Sequence, residues 1–213
     1  MMQSEDKQSE LDPNQAAQQL ATIRRIMESA TQITVLPGWA AIVGGLVALV
    51  GCAVSYVLMG SLDFAVMNDL TLGDRYNVVA VWVAVGTLGV AIDVLMTIRL
   101  ARQRGRRPWP RLAQLAAHAM APALCCALLI SIVLAERSAW DLIPAVWMLH
   151  YGVAVWMAGI LSVRAPGVLG LLFMAAGATT LLCAVPISLL VVAATFGLCH
   201  IVYGIFLLVR FGS

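Results

Sequence analysis

NVVAVWVAVGTLGVAIDVLMTI, residues 77–98, runs directly into RLARQRGRRPWPR, residues 99–111. A helix needs about 20 mostly apolar residues to cross a bilayer, and the first stretch has them. The second is an arginine-rich segment of the kind that stays on the cytoplasmic side of a membrane. Working outward, five more segments of comparable length and apolarity lie at 35–59, 113–135, 142–162, 167–185 and 188–209. The expected fold is therefore all-α: a polytopic membrane protein whose residues 34–213 form a bundle of six transmembrane helices. The turn Val185-Pro186-Ile187-Ser188 is so short that the last two helices must run antiparallel.

Composition points the same way. Of 213 residues, 62% are hydrophobic and 11% charged, with a mean hydropathy of +0.92. Soluble domains carry about a quarter charged residues. A water-soluble globular enzyme, a disordered regulator and a secreted disulfide scaffold are excluded. Cys52, Cys125, Cys126, Cys183 and Cys199 all fall inside apolar runs, without the spacing of a disulfide framework or a metal motif. There is no folded soluble surface on which a nucleic-acid partner would be expected.

Residues 1–33 are polar and acidic at their start and form an expected cytoplasmic segment. They lack the pattern of a cleavable signal peptide, so the first hydrophobic segment is expected to act as the insertion signal. Asp12 is a suitable N-cap with Pro13 at the first helical position. Ala16, Leu20, Ile23, Met27 and Ala30 recur at helical spacing, which predicts an amphipathic interfacial helix over 13–30.

Eleven of the thirteen basic residues fall in the amino-terminal segment, in the loop after the second helix, in the loop after the fourth, or at the carboxyl end. Only Arg75 and Arg137 fall in the opposite set of loops. Both termini are therefore expected in the cytoplasm. Arg99, Arg102, Arg104, Arg106, Arg107 and Arg111 read as the topogenic signal. They also suit anionic lipid headgroups, each charge contributing about 1 kcal/mol near a negative surface.

Membrane helices associate through small residues that let backbones approach. Stripes of this kind are Ala40, Gly44, Ala48, Gly51 and Ser55; Gly86, Gly89, Asp93 and Thr97; Gln114, His118, Ala121 and Cys125; and Ala193, Gly197, His200 and Gly204. They predict that Asp93, His118 and His200 face protein. With a rise of about 1.5 Å per residue, Asp93 and His118 lie roughly 8–10 Å inside neighbouring helices, so a contact between them is expected. Pro122 frees the carbonyl of residue 118. His150 and His200 lie near the midplane, beside Tyr151-Gly152 and Tyr203-Gly204. An ionisable residue inside a membrane is a functional-site candidate because its insertion is costly. A neutral histidine also serves as hydrogen-bonding glue between helices.

These residues leave three function classes open, with a non-enzymatic role expected. Asp93, His118 and His200 suit a polar path for a small solute or proton. A haem held by two histidines, or Cu(I) held by His118, Met120, Cys125, Cys126, Cys199 and His200, is the alternative. An accessory or sensing protein with a homo-oligomeric or membrane partner is the third.

Ile23-Arg24-Arg25-Ile26-Met27-Glu28-Ser29-Ala30-Thr31, leading to Pro37-Gly38-Trp39, and Phe196-Gly197-Leu198-Cys199-His200-Ile201-Val202-Tyr203-Gly204-Ile205, with Tyr151-Gly152 between them, carry a resemblance. Together they resemble an uncharacterised family of small six-helix bacterial integral membrane proteins. The resemblance implies a bacterial inner membrane and the same six-helix plan. The family pattern includes the position of His200, but not those of His118 or His150. It implies no activity.

Overall fold

A computed structural model describes residues 18–19, 37–105, 111–160, 164–183 and 186–211, with backbone only at 111, 112 and 164. The chain divides into Met1–Gln32 and Ile33–Ser213. In the first unit only Gln18 and Gln19 are described, both helical. The expected amphipathic helix over 13–30 otherwise lies outside the described residues, as do Arg106 and Arg107.

The second unit is helical among its described residues, with six helices long and apolar enough to cross a membrane. They are α1 (Gly38–Met59), α2 (Leu72–Gln103), α3 (Arg111–Glu136), α4 (Ile143–Ile160), α5 (Arg164–Cys183) and α6 (Ser188–Phe211). The second expected span was 77–98. The helix is longer, because Thr71 caps its first turn by accepting the Asp74 N–H and Arg102 sits in its last turn. Both features favour the helix ends over which they lie.

Close approach fixes two seams. Along α4 and α5, a Cβ built on Gly152 would meet the Gly170 carbonyl at 2.7 Å, and one on Gly159 would meet the Gly167 nitrogen at 2.6 Å. Along α1 and α6, a Cβ on Gly45 would meet the Gly197 carbonyl at 2.6 Å, and one on Gly204 the Gly38 carbonyl at 2.5 Å. Backbones this close gain dispersion contacts that larger side chains would forbid. Gly45, rather than the expected Gly44, is the contact on α1; nothing lies within 4 Å of a Cβ on Gly44.

α2 packs on α1, where Gly51 receives Val85, and α3 packs on α4. α6 lies against α1 on one side and against α4 and α5 on the other. α2 and α3 share no packed interface. The six helices therefore form an open crescent with α2 and α3 as its two horns. Only 6% of the most apolar window of each horn is buried.

One end of the crescent is closed. The links that follow α1 and α3 contain 3-10 turns, Phe64–Asn68 and Trp140–Leu142, which pack on each other beside the start of α6. Phe64 and Met67 sink into a core with Cys52, Met59, Val78, Leu189 and Val192, and Trp82 and Trp140 pack against it. Polar groups pin this plug to α6. The Ser188 hydroxyl accepts the Phe64 N–H at 3.1 Å and donates to an Asp63 carboxylate oxygen at 3.3 Å, while the Leu189 N–H donates to the Leu62 carbonyl at 2.9 Å. Two orphan polar ends, the first turn of α6 and the α1–α2 link, thereby satisfy one another. Ser188→Ala leaves the buried Phe64 N–H without its acceptor. It is expected to destabilise the chain by about 1–3 kcal/mol, read as a lowered midpoint in equilibrium unfolding from mixed micelles.

Candidate functional site

α6 departs from α-helical geometry over Ala193–Cys199, which is π-helical. Such widened turns are rare and frequent at functional sites. Within it the Thr195 hydroxyl donates to the Val191 carbonyl at 2.8 Å. His200 follows immediately, and its Nδ1 lies 3.4 Å from the carbonyl of Thr195, five residues back. The Phe196 carbonyl is a second acceptor for the same ring. With only acceptors around it, Nδ1 carries the proton. Nε2 is then an acceptor, and the Tyr151 hydroxyl of α4 donates to it at 2.7 Å.

Aromatic rings enclose this pair. Phe173 of α5 stands edge-on to His200 with centroids 5.3 Å apart, and Phe196 stacks on His200 at 6.2 Å and 10°. Tyr151 lies 4.9 Å from Phe173 and 5.0 Å from Phe196. Phe173 is fully buried. Every nitrogen of His200 is satisfied without solvent, so this part of the site is a seam joining α4, α5 and α6. Interhelical hydrogen bonds in membranes contribute about 0.6–1.7 kcal/mol, and Tyr151→Phe also strands the Nε2 acceptor. A loss of about 1–2 kcal/mol of stability is expected from that variant, with little loss from the control Tyr76→Phe, exposed near the start of α2.

Asp93 is a different case. As a residue it is exposed, and its carboxyl forms no hydrogen bond or ion pair among the described residues. It lies within electrostatic reach of both Tyr151 and Tyr203. Those tyrosines belong to α4 and α6, so the charge of Asp93 is felt at the helices behind its horn. Tyr203 packs on the cluster of Met148, Val155, Leu169 and Phe173 next to Tyr151. By the helical rise, Asp93 and Tyr203 lie at about the same depth, roughly 8–9 Å from the ends of their expected spans, with His200 and Tyr151 some 5–8 Å deeper.

The expected contact between Asp93 and His118 is not made. α2 is claimed by α1 and α3 by α4, so their small-residue faces are left apart. Gly86 and Gly89 have nothing within 4 Å of an added Cβ, and Gln114, His118, Ala121 and Cys125 are exposed. His118 instead turns back on its own helix, Nδ1 lying 2.7 Å from the Gln114 carbonyl. His150 does the same with the Val146 carbonyl at 2.8 Å. Of the five sequence candidates, Asp93, Tyr203 and His200 face a common region, whereas His150 and His118 bond within their own helices. Arg99, Arg102 and Arg104 are exposed at the end of α2 nearest Asp93. No group of three or more His, Cys, Asp or Glu side chains that could hold a metal ion occurs among the described residues.

Sequence reasoning missed Tyr151, Phe173 and Phe196. The signal for Tyr151 was its place next to His150, one helical step around the face. Nothing in the sequence marked Phe173. Comparison of the chain with protein-family models, with curated proteins and with solved structures gives no match.

Proposed function

We propose that this chain is a multi-pass protein of a bacterial inner membrane, with both termini cytoplasmic, that binds a small solute or ion in the cleft between α2 and α3. The arginine distribution and the family resemblance support the location and orientation. Asp93 is the single observation that carries the binding role. A carboxylate inside a bilayer is costly, and among the described residues this one has neither a basic partner nor a hydrogen bond that would make it structural glue. The polar chain from Asp93 past Tyr203 and Tyr151 to His200 ends on the Thr195 carbonyl, below the apolar plug of Phe64 and Met67. That dead end favours holding a ligand over conducting one through.

A panel of inorganic cations, organic cations, anions and neutral solutes, screened by thermal shift on the chain in nanodiscs, tests this reading. At least one class should stabilise the wild type and leave Asp93→Asn unmoved. Indistinguishable responses of the two proteins across the panel contradict it.

A second reading draws on Gly86 and Gly89. Their open faces are what a helix from a partner protein would use for close approach, which makes the chain an accessory subunit. In that case Gly89→Leu abolishes assembly with the partner while ligand responses are unaffected.

A further inference from the structure

We infer that the cleft binds a lipophilic organic monocation, an alkyl or aryl amine or quaternary ammonium, that enters sideways from the bilayer between α2 and α3. The inference rests on the binding role proposed for Asp93 and names the ligand class.

Charge sets the sign. Asp93 is an unpaired carboxylate, and the other ionisable groups facing it are the tyrosines 151 and 203, which are neutral hydroxyls at ordinary pH. His118, on the facing horn, is engaged with its own helix through Nδ1. The site therefore offers one negative charge, which a monocation balances.

Ligand count sets the class. Calcium takes about 6–8 oxygen ligands and magnesium a near-octahedral set. One carboxyl and two phenols, one of which already donates to His200, fall short of either. An organic cation has no such demand. It requires a counter-charge and aromatic surface, because the ring quadrupole attracts it at the face. Tyr203 supplies a ring at the depth of Asp93.

Access sets the lipophilicity. The far end is plugged by Phe64, Met67 and Trp82. The near aqueous end carries Arg99, Arg102 and Arg104, and Arg99 lies only about 9 Å along the helix from Asp93. That is close to the screening length of about 8 Å at physiological salt, so a dissolved cation approaching from that side is repelled. The remaining entrance is the slot between the horns, on which Gly86, Gly89 and Ala121 are small residues that no other helix covers. A ligand that partitions into the bilayer reaches Asp93 through it without passing the arginines.

Tetraphenylphosphonium tests this against tetraphenylborate, its anionic counterpart of the same shape, and against tetramethylammonium, a cation that stays in water. Binding to the full chain in nanodiscs is measured by equilibrium dialysis. The expected result is saturable phosphonium binding that falls tenfold or more in Asp93→Asn and about fivefold in Tyr203→Leu, with no saturable borate binding. Asp93→Ser serves as the second carboxylate-free variant should Asp93→Asn fail to fold. If tetramethylammonium competes as well as the phosphonium, the cleft takes cations from water; lateral entry is overturned while the binding role of Asp93 stands. If phosphonium binding is unchanged in the Asp93 variants, or the borate binds equally, the cation is only partitioning into lipid and the inference fails. Stabilisation by an anion or neutral solute that depends on Asp93, without phosphonium binding, overturns the ligand class alone. No Asp93-dependent ligand of any kind overturns the binding role as well.

Discussion

Gly170→Ala is expected to destabilise the chain by about 3 kcal/mol, the upper part of the range for forcing a methyl into a packed interior. The new Cβ would lie 2.6 Å from the Gly152 carbonyl and 2.7 Å from the Trp156 nitrogen. Both obstacles are backbone, so no side chain can rotate away. α4 must retreat from α5, and the retreat opens the seam that holds Phe173, Tyr151 and His200 together. Gly86→Ala is the matched control. It is also a mid-helix glycine, but its Cβ meets nothing within 4 Å. There the methyl only restricts the unfolded chain and is expected to stabilise by about 0.5–1 kcal/mol. Unfolding of both variants from mixed micelles reads the difference. Similar effects at the two positions would mean that α2 packs as tightly as α5 does.

Asp93→Leu is expected to stabilise the folded chain, by about 1–3 kcal/mol, while removing ligand binding. A charged carboxyl at the centre of a spanning helix costs about 2.5–3.5 kcal/mol on insertion scales, less where water or the interface is near. Asp93 lies toward one end of its helix and faces an open cleft, which places the gain below that maximum. The sign separates the two roles an acid within a membrane span can have. If Asp93 held helices together, removing it would break a hydrogen bond or ion pair and lower the unfolding midpoint. Among the described residues it makes neither, so the midpoint should rise. Proteins commonly keep such destabilising residues where function requires them.

The spans were legible because the hydrophobic length of a bilayer is a strong constraint that 19 to 32 apolar-rich residues satisfy on their own. The contact faces were legible only in part. Of the stripe Ala193, Gly197, His200 and Gly204, the two glycines do lie where α6 meets α1, whereas His200 turns to Tyr151 of α4 and Phe173 of α5. The equally small stripes of α2 and α3 face no helix. Small residues permit close packing but do not compel it, and a cleft wall has the same composition as a seam. Asp93 was recognisable as an anomaly from its position alone. Its opposite numbers were not, because whether α2 meets α3 or stands apart from it depends on how α1 and α4 claim those helices. The bond from Tyr151 to His200 joins residues 49 apart in the chain, and the Asp63–Ser188 latch joins residues 125 apart. Neither leaves a local pattern to read.

A ligand site at Asp93 requires that Asp93 and Tyr203 face an open cleft rather than a dry contact between α2 and α3. Thiol accessibility tests this most directly. In a background with all five native cysteines replaced, Asp93→Cys and Tyr203→Cys are each treated with a membrane-impermeant thiol reagent in sealed vesicles of either orientation. Both positions should react when the reagent is on the side of the arginine-bearing end of α2. Neither should react from the side closed by Phe64 and Met67. If both thiols stay unreactive from either side, and label only after denaturation, α2 and α3 close on one another and the cleft does not exist.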